Sequence, residues 1–290
     1  MSHTRIAFIG GGNMGRALLA ALLRRGSAPA DLRVADAHAP TREALARDFG
    51  VATFASNADA ARDAGLVVLA VKPQEMSSVL AGLRDTVQRS RPLLVSVAAG
   101  IRCGDLDAWS GGGLDIVRAM PNRPALVGAG ATALYAPAAV TAARRGAATR
   151  VMEPSGVVVW LSEESQMDVV TALSGSGPAY FFLLGEAMAD AGVALGLDRA
   201  TARRLAVATL HGAGQLAADV ALPAEAGVDG GEVAPWALQR MRAEVTSKGG
   251  TTEAAVRAFE AGGFQALVLA ALRAATDRSR DLAAQFGSSS

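Results

Sequence analysis

Arg5-Ile6-Ala7-Phe8-Ile9-Gly10-Gly11-Gly12-Asn13-Met14-Gly15 decides how the rest of the chain is read. Apolar-leaning residues Ile6 to Ile9 run into Gly10-x-Gly12-x-x-Gly15. The apolar stretch Ala17-Leu18-Leu19-Ala20-Ala21-Leu22-Leu23 follows. The pattern reads as strand, tight turn, helix. Gly10 permits the turn, Gly12 lets a pyrophosphate approach the backbone, and Gly15 lets the helix pack close to the strand. Asn13 and Met14 lie at the helix start, where free N–H groups and a partial positive charge favour phosphate. The chain has 32 glycines, so the spacing alone says little. Its position at a strand–helix junction points to a dinucleotide.

Working outward, Leu32-Arg33-Val34-Ala35-Asp36 reads as the second strand. Asp36 lies 21 positions beyond Gly15, where an acidic residue can hydrogen-bond an adenosine ribose. It could equally be a cap or turn residue, because Pro40 and Thr41 offer the same local chemistry, and both readings stand. Thr41 to Phe49 reads as a helix, and Asn57 sits in a polar turn before a short helix. Leu66-Val67-Val68-Leu69-Ala70-Val71 is a continuous apolar run of the buried parallel type and ends in Lys72-Pro73. Gln74 to Val87 reads as helix. Leu93 to Val97 is the next strand and ends in Ala98-Ala99-Gly100. Ile116 to Met120 follows, then Val157 to Leu161. Strands alternating with helices predict a doubly wound parallel sheet, whose ligands bind at the carboxyl ends of its strands.

Beyond about residue 163 no strand-like run is convincing, and helical spacing takes over. The expected architecture is a Rossmann-type dinucleotide-binding domain over 1–163 and an all-α domain over 164–290. Helices are expected over Ala179–Leu195, Arg199–Val220 and Gly263–Ala284, with a glycine-rich loop over Glu225–Gly231. These helices are rich in Ala, Leu and Gly and nearly apolar all round. They need burial on several sides, and packing between subunits is expected to supply it, with a compact monomeric bundle as the alternative.

Composition narrows the function classes. A chain of 290 residues that is 51% hydrophobic and 19% charged is globular. A net charge of +1 argues against a nucleic-acid binder. Cys103 is the single cysteine, and His3, His38 and His211 are widely separated, so no metal site is expected. No stretch approaches the roughly 18 apolar residues of a membrane span. The N-terminus enters a strand and a glycine turn rather than a secretory segment, so a cytoplasmic location is expected. Lys72 and Lys248 are the only lysines, which leaves few amines for chemistry.

Val245-Thr246-Ser247-Lys248-Gly249-Gly250-Thr251-Thr252-Glu253 is the second informative stretch. Two glycines flanked by hydroxyls lead into a helix start, which suits a substrate carboxylate. Read from these residues alone, an ordinary helix start after a glycine turn is the simpler account.

The chain resembles the pyrroline-5-carboxylate reductase family along nearly its whole length. The matching motifs are Gly10–Gly15, Ala70-Val71-Lys72-Pro73, Met120-Pro121-Asn122, Ser174-Gly175-Ser176-Gly177-Pro178-Ala179-Tyr180 and Val245–Thr252. The last two, in this order and spacing, are specific. The resemblance implies NAD(P)H-dependent reduction of 1-pyrroline-5-carboxylate to proline, with NADP as cofactor and NAD as an alternative. It implies an interlocked helical homodimer, often built into a larger ring. It places Asn57, Ala70, Val71, Lys72, Pro73, Val97, Ala98 and Ala99 at the cofactor. It places Glu164, Ser176, Ser247, Gly249, Gly250, Thr251 and Thr252 at the substrate, with Thr252 nearest the imine nitrogen.

Four features depart from the family pattern. Arg123 stands where threonine is usual, and Lys248 where proline is common. The stretch Pro235–Val245 is about three residues longer. Asp36-Ala37-His38 stands where a basic, phosphate-binding group often follows the second strand, which weakens a strict NADPH preference. Two rival readings remain. A β-hydroxyacid dehydrogenase shares the first motif but usually needs a helical lysine as proton donor. A non-catalytic dinucleotide sensor would have no use for the hydroxyl-rich second loop.

Overall fold

The structure, a computed structural model, describes residues 4–225 and 237–287. Contacts divide the chain into two units. Unit 1 is Met1–Pro178 with Leu272–Ser290, and unit 2 is Ala179–Ala271.

Unit 1 opens with β1 (Ile6–Ile9), α1 (Asn13–Arg24), β2 (Leu32–Ala35), α2 (Ala39–Phe49), β3 (Ala52–Phe54), α3 (Asn57–Ala61), β4 (Leu66–Leu69) and α4 (Met76–Ser90). It continues with β5 (Leu93–Ser96), α5 (Cys103–Ser110), β6 (Ile116–Met120), β7 (Gly130–Tyr135), α6 (Ala142–Met152), β8 (Gly156–Trp160) and α7 (Gln166–Val170). One π-helical turn, Thr171–Gly175, then leads into α8 (Gly177–Ala194). The strands form one eight-stranded sheet in the order β3-β2-β1-β4-β5-β6-β7-β8.

The apolar runs explain the sheet. All four residues of β4 and all four of β5 are buried, because helices cover both faces. Alternation divides them between two cores. Phe8, Val68 and Val95 join Leu18, Leu19 and Leu22 of α1 on one face. Ala7, Ile9, Val67, Leu69 and Leu94 join Leu80, Leu83 and Val87 of α4 on the other.

Two strands have no counterpart in the sequence reading. β3 is a short edge strand beside β2. β7 runs antiparallel to β6, so the sheet is mostly rather than wholly parallel. β8 lies parallel to β7 and ends at Trp160, after which the described chain is helical.

Unit 2 holds most of α8, then α9 (Arg199–Glu225), α10 (Ala237–Glu244), α11 (Thr251–Ala261) and the start of α12 (Phe264–Gly287). The expected glycine-rich loop after Glu225 and the first part of the lengthened Pro235–Val245 stretch lie outside the described residues. Arg242 and Glu260 pair at 3.6 Å, and the Phe259 and Phe264 rings meet at 5.6 Å. Among the described residues no single helix is long and apolar enough to cross a membrane.

Candidate active site

Strand register builds the first half of the site. Ile9 pairs with Ala35 and with Leu69, and Leu69 pairs with Ser96. The next residues, Gly10, Asp36, Ala70 and Val97, therefore leave the sheet side by side. β1 and β4 are neighbours here although β2 and β3 separate them in sequence. This is the switch point at which open α/β sheets bind ligands.

The glycines at this point each answer a local demand. Gly10 has φ +101°, and a Cβ there would lie 2.6 Å from the Ala70 carbonyl oxygen. A Cβ on Gly15 would strike the Gly10 carbonyl oxygen. Gly12 differs, because a Cβ there would meet nothing within 4 Å. It is the N-cap of α1, no side chain caps that helix, and its first turn holds no acidic residue. The start of α1, from Asn13 onward, thus has no side-chain cap and an unopposed helix dipole, with room for a ligand to approach at Gly12. Those are the requirements of a pyrophosphate.

Asp36 is tied into this turn. Its Oδ2 accepts the Gly11 N–H at 2.8 Å, and its Oδ1 accepts the His38 N–H at 2.8 Å. The turn and ribose readings left open by the sequence are therefore compatible: the carboxylate braces the turn and keeps a negative charge beside it. Arg42 donates to the carbonyl oxygens of Asp36 and Ala37 at 2.8 and 3.0 Å.

Asn57 begins α3, which Ser56 caps by accepting the Asp59 N–H at 3.2 Å. Ala70 N–H donates to Ile9 at 2.8 Å, and exposed Lys72 leads into a short 3-10 turn at Pro73. Val97 N–H donates to Leu69 at 3.1 Å. Ala98 is nearly buried, and the Phe286 ring of α12 packs on Gly100 behind it.

Glu164 is tied to β6 and to the segment that follows Gly100. Its Oε1 accepts from Arg118 Nη1 at 2.8 Å and from the Cys103 N–H at 2.7 Å. It borders a cavity of about 640 Å³ in unit 1, shared with Arg102, Asp168, Arg280 and Asp281. Asp168 Oδ1 in turn accepts from Ser279 of α12 at 2.7 Å. Burial, reinforced by the Glu164 carboxylate, pushes the Cys103 thiol up to about 12, which keeps it protonated and unreactive at neutral pH. Sequence reasoning named Glu164 but missed Arg118. The available signal was a lone cation inside the apolar strand β6.

Ser176 closes the π-turn, donating its N–H to Thr171 at 2.8 Å. The Ser247–Thr252 loop, expected at the substrate, lies in unit 2. Gly250 donates to Ser247 at 3.0 Å, and Gly249, at φ +74°, donates to Glu253 Oε2 at 2.6 Å. Gly250 is the N-cap of α11, with no side-chain cap. Thr251 and Thr252, the first two helical residues, are exposed. The Thr252 hydroxyl therefore does not cap the helix. Among the described residues no group of His, Cys, Asp or Glu is arranged to hold a metal ion.

Comparison with known proteins extends this geometry. The family model for pyrroline-5-carboxylate reductase dimerisation matches residues 164–282. A second, for NADP oxidoreductase coenzyme F420-dependent, matches residues 5–100. A pyrroline-5-carboxylate reductase of Pseudomonas aeruginosa is 47% identical over 287 residues, covering 99% of this chain and 100% of that protein. The chain belongs to the pyrroline-5-carboxylate reductase family.

Solved reductase structures show the same fold. One from Coxiella burnetii superposes with a TM-score of 0.87 at 37% identity, over 97% of this chain and 99% of that one. A Plasmodium falciparum pyrroline carboxylate reductase, solved with NADP bound, gives 0.79 at 27%, over 98% and 99%. The resemblance seen in the motifs thus extends through both units. The glycine turn of unit 1 and the hydroxyl loop of unit 2 are parts of a pyrroline-5-carboxylate reductase.

Proposed function

We propose that this chain reduces 1-pyrroline-5-carboxylate to L-proline with a pyridine dinucleotide, the last step of proline synthesis. The full-length likeness to named reductases carries the reading. The open, uncapped start of α1 supports it on the cofactor side, and the Ser247–Thr252 loop on the substrate side.

A bound NAD(P)H supplies the hydride. The chain's own work is to bind and orient. Gly12 and the start of α1 hold the pyrophosphate. Ala98 and Ala99, small residues at the end of β5, let a flat ring lie against backbone. The Ser247–Thr251 loop receives the substrate carboxylate through N–H and hydroxyl groups. Thr252 hydrogen-bonds the ring nitrogen. The cyclic imine is protonated in solution, so orientation matters more than a strong general acid. Glu164, held by Arg118 and the Cys103 N–H, is the acidic residue that the family likeness assigns to substrate binding. The helices of unit 2 pair with those of a second copy to form a homodimer, and dimers can assemble further into a ring.

Both dinucleotides are used in this reading. NADP in the Plasmodium relative supports a 2′-phosphorylated cofactor, while the Asp36 charge favours a free 2′-hydroxyl. The test is steady-state kcat/KM with pyrroline-5-carboxylate for NADPH and NADH, on wild type and Asp36→Asn. Asparagine keeps an acceptor oxygen for the turn and removes the charge. The NADPH/NADH ratio should rise roughly fivefold, the effect of about 1 kcal/mol between like charges in a water-like surrounding. An unchanged ratio removes Asp36 from cofactor choice. Turnover of short 3-hydroxy acids in place of pyrroline-5-carboxylate would overturn the functional reading itself.

A further inference from the structure

Asn122 follows the carboxyl end of β6 and is only 9% exposed. Its side chain spans two other segments. Nδ2 donates to the Ser174 carbonyl oxygen at 3.0 Å, and Oδ1 accepts the Ala131 N–H at 2.9 Å. Ser174 lies inside the π-turn, and Ala131 lies in β7. Two residues before Asn122, Met120 Cε abuts Gly175, where a Cβ would lie 2.6 Å from it.

A π-turn opens one residue wider than an α-turn and is marginal unless its surroundings hold it. Here the bond from Asn122 holds the Ser174 carbonyl. A buried amide with both ends satisfied specifies one arrangement, since any other leaves a donor or acceptor unpaired. The clamp sets where Ser174 to Ser176 stand relative to the carboxyl end of β6. That end lies beside the Val97–Ala99 turn, because β6 pairs with β5.

We propose that Asn122 is a positioning residue: by bridging Ser174 and Ala131 it holds the Ser174–Ser176 turn against Met120 and so fixes Ser176 for the substrate. The inference rests on the functional reading above and adds to it a device for placing the substrate rather than the cofactor. The pyrophosphate turn at Gly10–Gly15 makes none of these contacts.

The test uses two variants of the full chain. Asn122→Asp keeps the shape and the acceptor but removes the donor to Ser174. Gly175→Ala leaves Asn122 intact and displaces only the flexible end of Met120, which keeps the test usable if the first variant folds poorly. For each, the KM for pyrroline-5-carboxylate, kcat, the dinucleotide Kd and the melting temperature are measured against wild type. The KM for pyrroline-5-carboxylate should rise about tenfold in Asn122→Asp, the loss expected for one buried hydrogen bond. It should rise severalfold in Gly175→Ala, with the dinucleotide Kd within about twofold of wild type in both. An unchanged substrate KM in both variants overturns the proposal. So does a fall in melting temperature with substrate and dinucleotide binding weakened alike, which marks a purely structural residue. Failure of the functional reading shows elsewhere: wild type itself would bind dinucleotide and leave pyrroline-5-carboxylate unreduced.

Discussion

Thr252 makes the ring-nitrogen contact in the proposed function. The sequence allowed it to be a helix cap, but Gly250 takes the N-cap position, and the exposed Thr252 hydroxyl sits one step inside α11. Thr252→Ala therefore removes no cap and puts a better helix former at an exposed site, so the melting temperature should hold or rise slightly. If the hydroxyl bonds the ring nitrogen during reduction, kcat/KM should fall on the order of ten- to a hundredfold, for about 1–3 kcal/mol of unpaired polarity. Thr252→Ser should retain most activity. Kinetics and melting curves on both variants decide the matter, and a normal kcat/KM in Thr252→Ala removes Thr252 from the reaction. The motif made this residue visible, whereas the partners of Glu164 and Asn122 were not. Arg118 and Glu164 are 46 positions apart, and Asn122 and Ser174 are 52 apart. Only the folded chain brings such pairs together.

At the scale of elements, legibility followed the strength of the apolar pattern. The buried strands β1, β4 and β5 are continuous apolar runs and were readable. β7 reads Gly-Ala-Thr-Ala-Leu-Tyr and β3 has three residues, so neither carries a clear period, and tertiary pairing decides both. The π-turn has no sequence signature of its own. The reach of α12 was also hidden: from Leu272 onward its residues belong to unit 1, with Ser279 bonded to Asp168 and Phe286 packed on Gly100. The C-terminal end of α12 thus buttresses the turn after β5. Phe286→Ala should remove about 2 kcal/mol of apolar burial and loosen that turn. The dinucleotide Kd, followed by fluorescence titration, should weaken severalfold, with a smaller change in the KM for pyrroline-5-carboxylate. Unaltered dinucleotide binding with a lowered melting temperature would confine Phe286 to stability.

At the scale of the whole molecule, the surface of unit 2 is hard to reconcile with a lone chain. Phe181, Phe182 and Leu183 on α8 are 59%, 57% and 65% exposed, and Leu267 on α12 is 67% exposed. Val207 and Leu205 on α9 are also exposed. Large apolar side chains exposed in this number on several helices mark an interface, and a helix apolar all round needs cover on more than one side. The dimerisation match over residues 164–282 includes every one of these helices except the end of α12. Light scattering at micromolar concentration should therefore report at least twice the 29.4 kDa chain mass. The double variant Phe181→Glu/Leu183→Glu places two charges where apolar contact is needed. A buried unpaired charge costs several kcal/mol, so the variant should dissociate or aggregate, and its reductase activity should fall with it. Unit 1 carries the proposed dinucleotide turn and none of the substituted residues, so dinucleotide binding should survive in whatever soluble fraction remains. A wild type that runs as a stable, fully active monomer at micromolar concentration would show that the exposed helices of unit 2 need no second copy.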